Sequence, residues 1–129
     1  MSERVDDKGD LLLVEDNELN RDMLSRRLRR AGFTVDIAED GEAALAKIVE
    51  TKPRLVLLDM NLPRIDGWTV CTTVRETAGV EDTAIIALTA HAMAEDREKA
   101  LAAGCDDYAT KPIDFPALVE KITRLLSRS

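Results

Sequence analysis

The sequence predicts an α/β domain built on a five-stranded parallel sheet, doubly wound as (βα)5. Three observations carry this expectation. The runs Leu11-Leu12-Leu13-Val14, Leu55-Val56-Leu57-Leu58 and Ala84-Ile85-Ile86-Ala87-Leu88 are continuously apolar, which suits strands buried on both faces. Helix-patterned stretches separate the runs, as βαβ units require. Finally, a polar residue stands at or just past the carboxyl end of each run: Glu15-Asp16, Asp59, Thr89 and, after Tyr108-Ala109-Thr110, Lys111. In a parallel sheet those ends share one edge, and ligands bind along that edge.

The elements follow in order. Residues 1–9 are polar, end in Gly9 and have no periodicity, so they read as a flexible leader to a domain spanning 10–129. A first strand is expected at about 10–14. Asn17 then caps a helix that reaches about Ala31, with Met23, Leu24, Leu28 and Ala31 as its inward stripe and Gly32 as its stop. A second strand at 33–38 leads to Asp40, the cap of a helix carrying Ala43, Ala44, Ile48 and Val49 and closed by Pro53. The third strand is 54–58. The segment from Asn61 to Gly67 is loop chemistry, punctuated by Pro63 and Gly67. A third helix at about 68–78 ends before Gly79, and the fourth strand is 84–88. An Ala-rich helix at about 93–103 stops at Gly104. A short fifth strand at 107–110 passes through Lys111-Pro112 into a last helix at about 114–126.

Bulk properties narrow the function. A chain of 129 residues is one domain, and 45% hydrophobic with 33% charged residues is the composition of a folded one. The net charge of -7 disfavours binding to nucleic acid, which rests on cationic neutralisation of phosphates. The apolar runs are far too short to span a bilayer, and the polar start lacks the core of a signal peptide, so the expected location is cytoplasmic. Cys71 and Cys105 have no metal-type spacing and read as small buried hydrophobes.

Three carboxylates gathered at one sheet edge repel each other, and burial raises the cost. Lys111 supplies one compensating charge, and a divalent cation is the natural second. An all-oxygen donor set from Glu15, Asp16 and Asp59, with a backbone carbonyl from the following loop, points to Mg²⁺ or Mn²⁺ rather than Zn²⁺. A metal with open positions beside a lysine and the Thr89 hydroxyl also suits the oxygens of a phosphoryl group. Asp59, on the central apolar strand, could then act as nucleophile and form an aspartyl-phosphate.

At these residues the chain resembles a receiver domain of two-component response regulators, a flavodoxin-like fold of the CheY-like kind. Leu-Leu-Leu-Val-Glu15-Asp16-Asn, Leu-Val-Leu-Leu-Asp59-Met-Asn-Leu-Pro63-Arg-Ile-Asp-Gly67, Ala-Leu-Thr89-Ala90 and Tyr108-Ala-Thr-Lys111-Pro112 match the family's signatures in its order, across about 10–126. The resemblance implies a signalling switch rather than an enzyme, with Mg²⁺-dependent self-phosphorylation and autodephosphorylation as its only chemistry. Asp59 would accept a phosphoryl group from a phosphohistidine, Asp16 would hold Mg²⁺ directly and Glu15 mainly through water, and Asn61 would offer its backbone carbonyl. Lys111 would contact the phosphoryl group, Thr89 would turn its hydroxyl toward it, and Tyr108 would be a switch residue, inward or outward according to whether Thr89 has moved. The Lys111–Pro112 bond is usually cis in this family. Asn61 and His91 occupy its variable positions for phosphoryl lifetime, and His91 also reads as a plain surface residue.

The implied partners are a histidine kinase or histidine phosphotransfer protein at the first helix and a downstream protein at the face of the fourth helix, fifth strand and fifth helix. The implied assembly is a monomer or a phosphorylation-dependent dimer, without nucleic acid or membrane. Arg21, Arg26, Arg27, Arg29 and Arg30 make the first helix basic, as a solvated face or a docking surface, with Leu19 as an apolar contact. Trp68 packs at its helix start or serves an interface. The alternatives are a receiver belonging to a larger hybrid kinase or response regulator, and a scaffold receiver that is not phosphorylated. An aspartate-dependent phosphatase would need an acid where Asn61 stands. A flavin module would need a phosphate-cradling loop where Glu15-Asp16 repels phosphate.

Overall fold

The structure is a computed structural model and describes residues 10–90 and 94–127. The expected leader at 1–9 and His91 lie outside the described residues. The elements run β1 (Asp10–Val14), α1 (Glu18–Arg30), β2 (Thr34–Ala38), α2 (Gly41–Thr51), β3 (Leu55–Asp59), α3 (Gly67–Arg75), β4 (Ala84–Thr89), α4 (Ala94–Ala102), β5 (Asp107–Thr110) and α5 (Phe115–Leu126). The sheet is parallel throughout, in the order β2-β1-β3-β4-β5, so β3 is its central strand.

Strand side chains alternate between faces, and each face has its own core. Leu12, Val14, Val56, Leu58, Ile85 and Ala87 pack beneath α2, α3 and α4. Leu11, Leu13, Leu55, Leu57, Ile86 and Leu88 pack beneath α1 and α5. This double cover is why the runs are continuously apolar rather than alternating. Asn17 and Asp40 cap α1 and α2 as expected, and Asp114, read as the first residue of the last helix, caps α5; each accepts a backbone N–H from the first turn. At the far end of α1, Gly32 adopts φ 105 while its N–H bonds Arg29 and that of Phe33 bonds Leu28. That geometry turns the chain sharply back into β2.

Three expectations need correction. Met23, assigned to the inward stripe of α1, and Val49, named with the apolar residues of α2, are 57% and 53% exposed. Leu28 is buried as expected, with Leu24 and Ala31 partly buried against the same core, and Ser25 takes the other buried position of α1. The third helix stops at Arg75 rather than near Ala78. There the N–H of Thr77 bonds Val74 and that of Val80 bonds Thr77, a run of tight turns that leaves the α-helical path. Among the described residues, no helix is long and apolar enough to cross a membrane.

Candidate functional site

Strand register builds the site. Val14 lies opposite Leu58, so Glu15 and Asp59 emerge side by side at the end of the sheet. Thr89 pairs with Thr110, which delivers Lys111 to the same edge. One further backbone bond extends three of the four ladders past their last pair: Glu15 N–H to Ala38, Met60 N–H to Leu88 at 3.0 Å and Lys111 N–H to Thr89 at 2.8 Å. The site residues are thereby held by the sheet rather than by free loop ends.

Carboxylate oxygens of Glu15, Asp16 and Asp59 lie within 4.8 Å of one another. Glu15 and Asp59 are buried and Asp16 is exposed. Lys111 Nζ sits 3.2 Å from Asp59 Oδ2 and 3.5 Å from Glu15 Oε1, bridging the two buried acids. The other oxygens are also engaged: Asn61 N–H donates to Asp59 Oδ1 at 3.0 Å, and Asn17 N–H donates to Glu15 Oε2 at 3.2 Å. Burial lifts the Glu15 carboxyl above its ordinary value, and the Asp59 carboxylate lifts it further. The Asn17 N–H and the Lys111 ammonium pull it back without cancelling the rise. Three carboxylates thus share the pocket with one lysine. Three hard oxygen donors in that condition suit a small divalent cation.

The loop after Asp59 is drawn in by Gly67, whose N–H bonds Met60. A side chain there would collide with Met60 Sδ and stand 2.7 Å from Asp59 O and Met60 Cα. Thr89 is buried at the end of β4. Tyr108 is half-buried on β5, with Lys121 Nζ 5.1 Å from its ring centre. The Lys111–Pro112 bond is cis. Trp68 is partly buried against the α3 side of the core, with Lys99 Nζ 4.9 Å from its ring centre.

This edge and order of residues identify the fold's lineage. The sequence model of the family described as "Response regulator receiver domain" matches residues 11–123. The chain belongs to the response regulator receiver family. This receiver is 38% identical over 119 residues to "Response regulator MprA" of Mycolicibacterium vanbaalenii, which covers 92% of the chain and 51% of that protein. It spans about half the length of the curated relatives it matches. A solved receiver domain of sensor histidine kinase PA1611 from Pseudomonas aeruginosa, with a magnesium ion coordinated in its active site cleft, is 34% identical. That likeness has a TM-score of 0.85 and covers 92% of this receiver and 98% of the other chain. The complex of Saccharomyces cerevisiae Ypd1, a histidine phosphotransfer signaling protein, with the receiver domain of Ssk1 is also similar. It gives 31% identity and a TM-score of 0.84, covering 92% of this receiver and 88% of that chain.

The structure adds one support the sequence reading missed. Arg21, placed on a basic face, instead donates from Nη1 to the backbone oxygens of Glu15 at 3.0 Å and Asp16 at 3.5 Å, bracing the acidic loop from α1. Other arginines of this helix are also engaged within the fold. Arg29 donates to Val35 O, Arg27 stacks 4.3 Å from the Phe115 ring centre, and Arg26 pairs with Asp22. The exposed apolar residues of α1 are Leu19 and Met23. Met23, Leu24, Pro112, Ile113, Glu15 and Lys111 line a groove of about 300 Å³.

Proposed function

We propose that this receiver takes a phosphoryl group from a phosphohistidine, on a sensor kinase or a histidine phosphotransfer protein, onto Asp59. The observation that carries the reading is the placement of the Asp59 carboxylate. It lies at the end of the central strand, 3.2 Å from Lys111 Nζ and within the three-acid cluster. The Asn61 N–H fixes one Asp59 oxygen and Lys111 holds the other, so the carboxylate is oriented before a donor arrives. Attack forms the Asp59 O–P bond as the donor P–N bond breaks and the imidazole departs. Lys111, released from its two carboxylates, would follow the charge onto the incoming phosphoryl oxygens, and the Thr89 hydroxyl would donate to one of them. Glu15, Asp16, Asp59 and the Asn61 carbonyl would hold Mg²⁺, or Mn²⁺ in its place. That ion would neutralise charge on the phosphoryl oxygens. The coordinated magnesium of the similar PA1611 receiver domain supports this donor set.

The groove beside α1 supports a docking site for the phosphohistidine protein, because exposed Met23 and Lys111 both line it and Leu19 is a further exposed apolar residue of the same helix. The Ypd1 complex of a similar receiver supports the same class of partner. Movement of Thr89 and Tyr108 would then alter the α4–β5–α5 face for a downstream protein or a second copy. On this reading the protein is a cytoplasmic switch whose folded receiver unit spans 10–129, and no other substrate is turned over.

Intact-protein mass after incubation with acetyl phosphate and Mg²⁺ tests the proposal. The expected gain is one phosphoryl group, about 80 Da, lost in Asp59→Asn and after chelation. If beryllofluoride fails to bind as well, with no mass gain in the wild type, Asp59 is not an acceptor.

A further inference from the structure

We propose that Cys71 and Cys105 form a dithiol that a peroxide oxidises to an intramolecular disulfide, pinning α3 to the turn before β5. The two sulfurs lie 3.4 Å apart, in contact, although 34 residues separate them. Both side chains are buried, Cys105 being 5% exposed at the turn and so within reach of a small oxidant. A disulfide needs the sulfurs at about 2.05 Å. Closing the remaining gap of roughly 1.4 Å is within the range of small side-chain rotations.

The surrounding structure fixes both partners. Cys71 is on the buried face of α3. Cys105 follows Gly104, which has φ 107, and the N–H groups of Gly104 and Cys105 bond Leu101 and Ala100. This closes α4 and aims the Cys105 side chain inward. Arg75, one turn beyond Cys71 on α3, ties the same turn down from outside. Its Nε donates to Gly104 O at 2.8 Å and its Nη2 pairs with Asp106 Oδ2 at 3.0 Å. The Arg75 stem fits against Gly104 because a Cβ there would stand 2.8 Å from its Cγ. One side chain thus holds the residues on both sides of Cys105 against the helix that carries Cys71.

The two sulfurs share one S–H···S contact in which either can donate. The thiolate of one cysteine attacks a peroxide oxygen, the O–O bond breaks, and the departing hydroxide takes the proton which that thiol released. The other sulfur then attacks the sulfenic sulfur so formed, the S–O bond breaks, and the second hydroxide leaves with the second thiol's proton as water. Two thiols and one peroxide give one disulfide and two waters, with two electrons passing to the peroxide. The chain between the two cysteines contains β4 with Thr89 and also α4, so the bond would anchor the base of that segment.

The test is a thiol–disulfide equilibrium of the folded protein in glutathione buffers, approached from the reduced and the peroxide-oxidised sides. It is read by alkylation and peptide mapping. The expected product has lost two hydrogens and links the Cys71 and Cys105 peptides. Its equilibrium should favour the disulfide by on the order of a hundredfold over the same chain in denaturant. Cys71→Ser and Cys105→Ser should each abolish it, giving only mixed disulfides. Thiols that stay fully alkylatable from the reduced side, linkage only between molecules, or a folded-state midpoint no more reducing than the denatured one would each overturn the proposal.

Discussion

Lys111→Met is the sharpest perturbation of this receiver's site. With an effective dielectric of about 20, the Lys111 attractions to Asp59 at 3.2 Å and Glu15 at 3.5 Å are each about 5 kcal/mol. Each carboxylate pair at the 4.8 Å limit of the cluster repels by about 3.5 kcal/mol on the same scale. One lysine therefore offsets roughly the whole repulsion among three acids. Breaking a buried ion pair typically costs about 3–5 kcal/mol. The lysine is 26% exposed, so water recovers part of this, and the expected loss is about 2–3 kcal/mol at pH 7 without metal. Urea unfolding in a chelator measures it. The pH dependence has a definite sign. Glu15 titrates above its ordinary 4.5 in the folded state, so its stabilising contribution is complete below 4.5 and is lost as pH rises through the folded value. Removing Lys111 deletes one of the two influences that hold Glu15 down, so the deficit of the variant should widen as pH rises from 4.5. Mg²⁺ should restore more stability to Lys111→Met than to the wild type, since both cations answer the same charge. A variant within about 0.5 kcal/mol of wild type at pH 7 in chelator, or a deficit that narrows with rising pH, would refute this account of the pocket.

Gly67→Ala should destabilise the protein by about 1–3 kcal/mol in urea, because its Cβ would press on Asp59 O and Met60 Cα, backbone atoms that cannot yield. Arg75→Met should lose about 3 kcal/mol, since one guanidinium holds Gly104 O, Glu81 O, Thr83 O and Asp106. Thermal unfolding checks this, with Arg75→Lys expected to recover only part. Leu19→Asp with Met23→Asp should change stability by less than about 0.5 kcal/mol each, as both residues are exposed. The same pair should slow phosphotransfer from a phosphohistidine protein while leaving labelling by acetyl phosphate unchanged. Equal loss with both donors would remove the docking groove from the reading.

The site was legible because topology leaves little freedom once both faces of the sheet are covered. A run such as Leu55 to Leu58 can be apolar at every position only between two helical layers, and the first charged residue after it must then stand at the sheet's edge. Glu15, Asp59 and Lys111 meet for that reason, and the pairing of Thr89 with Thr110 sets how far Lys111 reaches. Helix faces are less constrained. At about 100° per residue, Met23 lies about 100° from the mean direction of Leu24, Leu28 and Ala31, so an apolar residue was mistaken for an inward one. Its exposure leaves a bare apolar position in the groove that Lys111 also lines. The arginines of α1 hid something else. A basic stripe in sequence reads as a surface for partners, yet Arg21 and Arg29 donate to the carbonyls of Glu15 and Val35. Backbone acceptors brought near by a fold have no residue signature, so such bonds cannot be seen in a sequence. The same blindness hid the contact between Cys71 and Cys105, which depends on how the glycine turn after α4 meets the far end of α3. What the sequence displayed were positions forced by alternation and strand order. What it concealed were contacts between elements whose relative placement neither rule determines. In this receiver the first group makes the acidic pocket around Lys111, and the second supplies its arginine brace and the contact between the two cysteines.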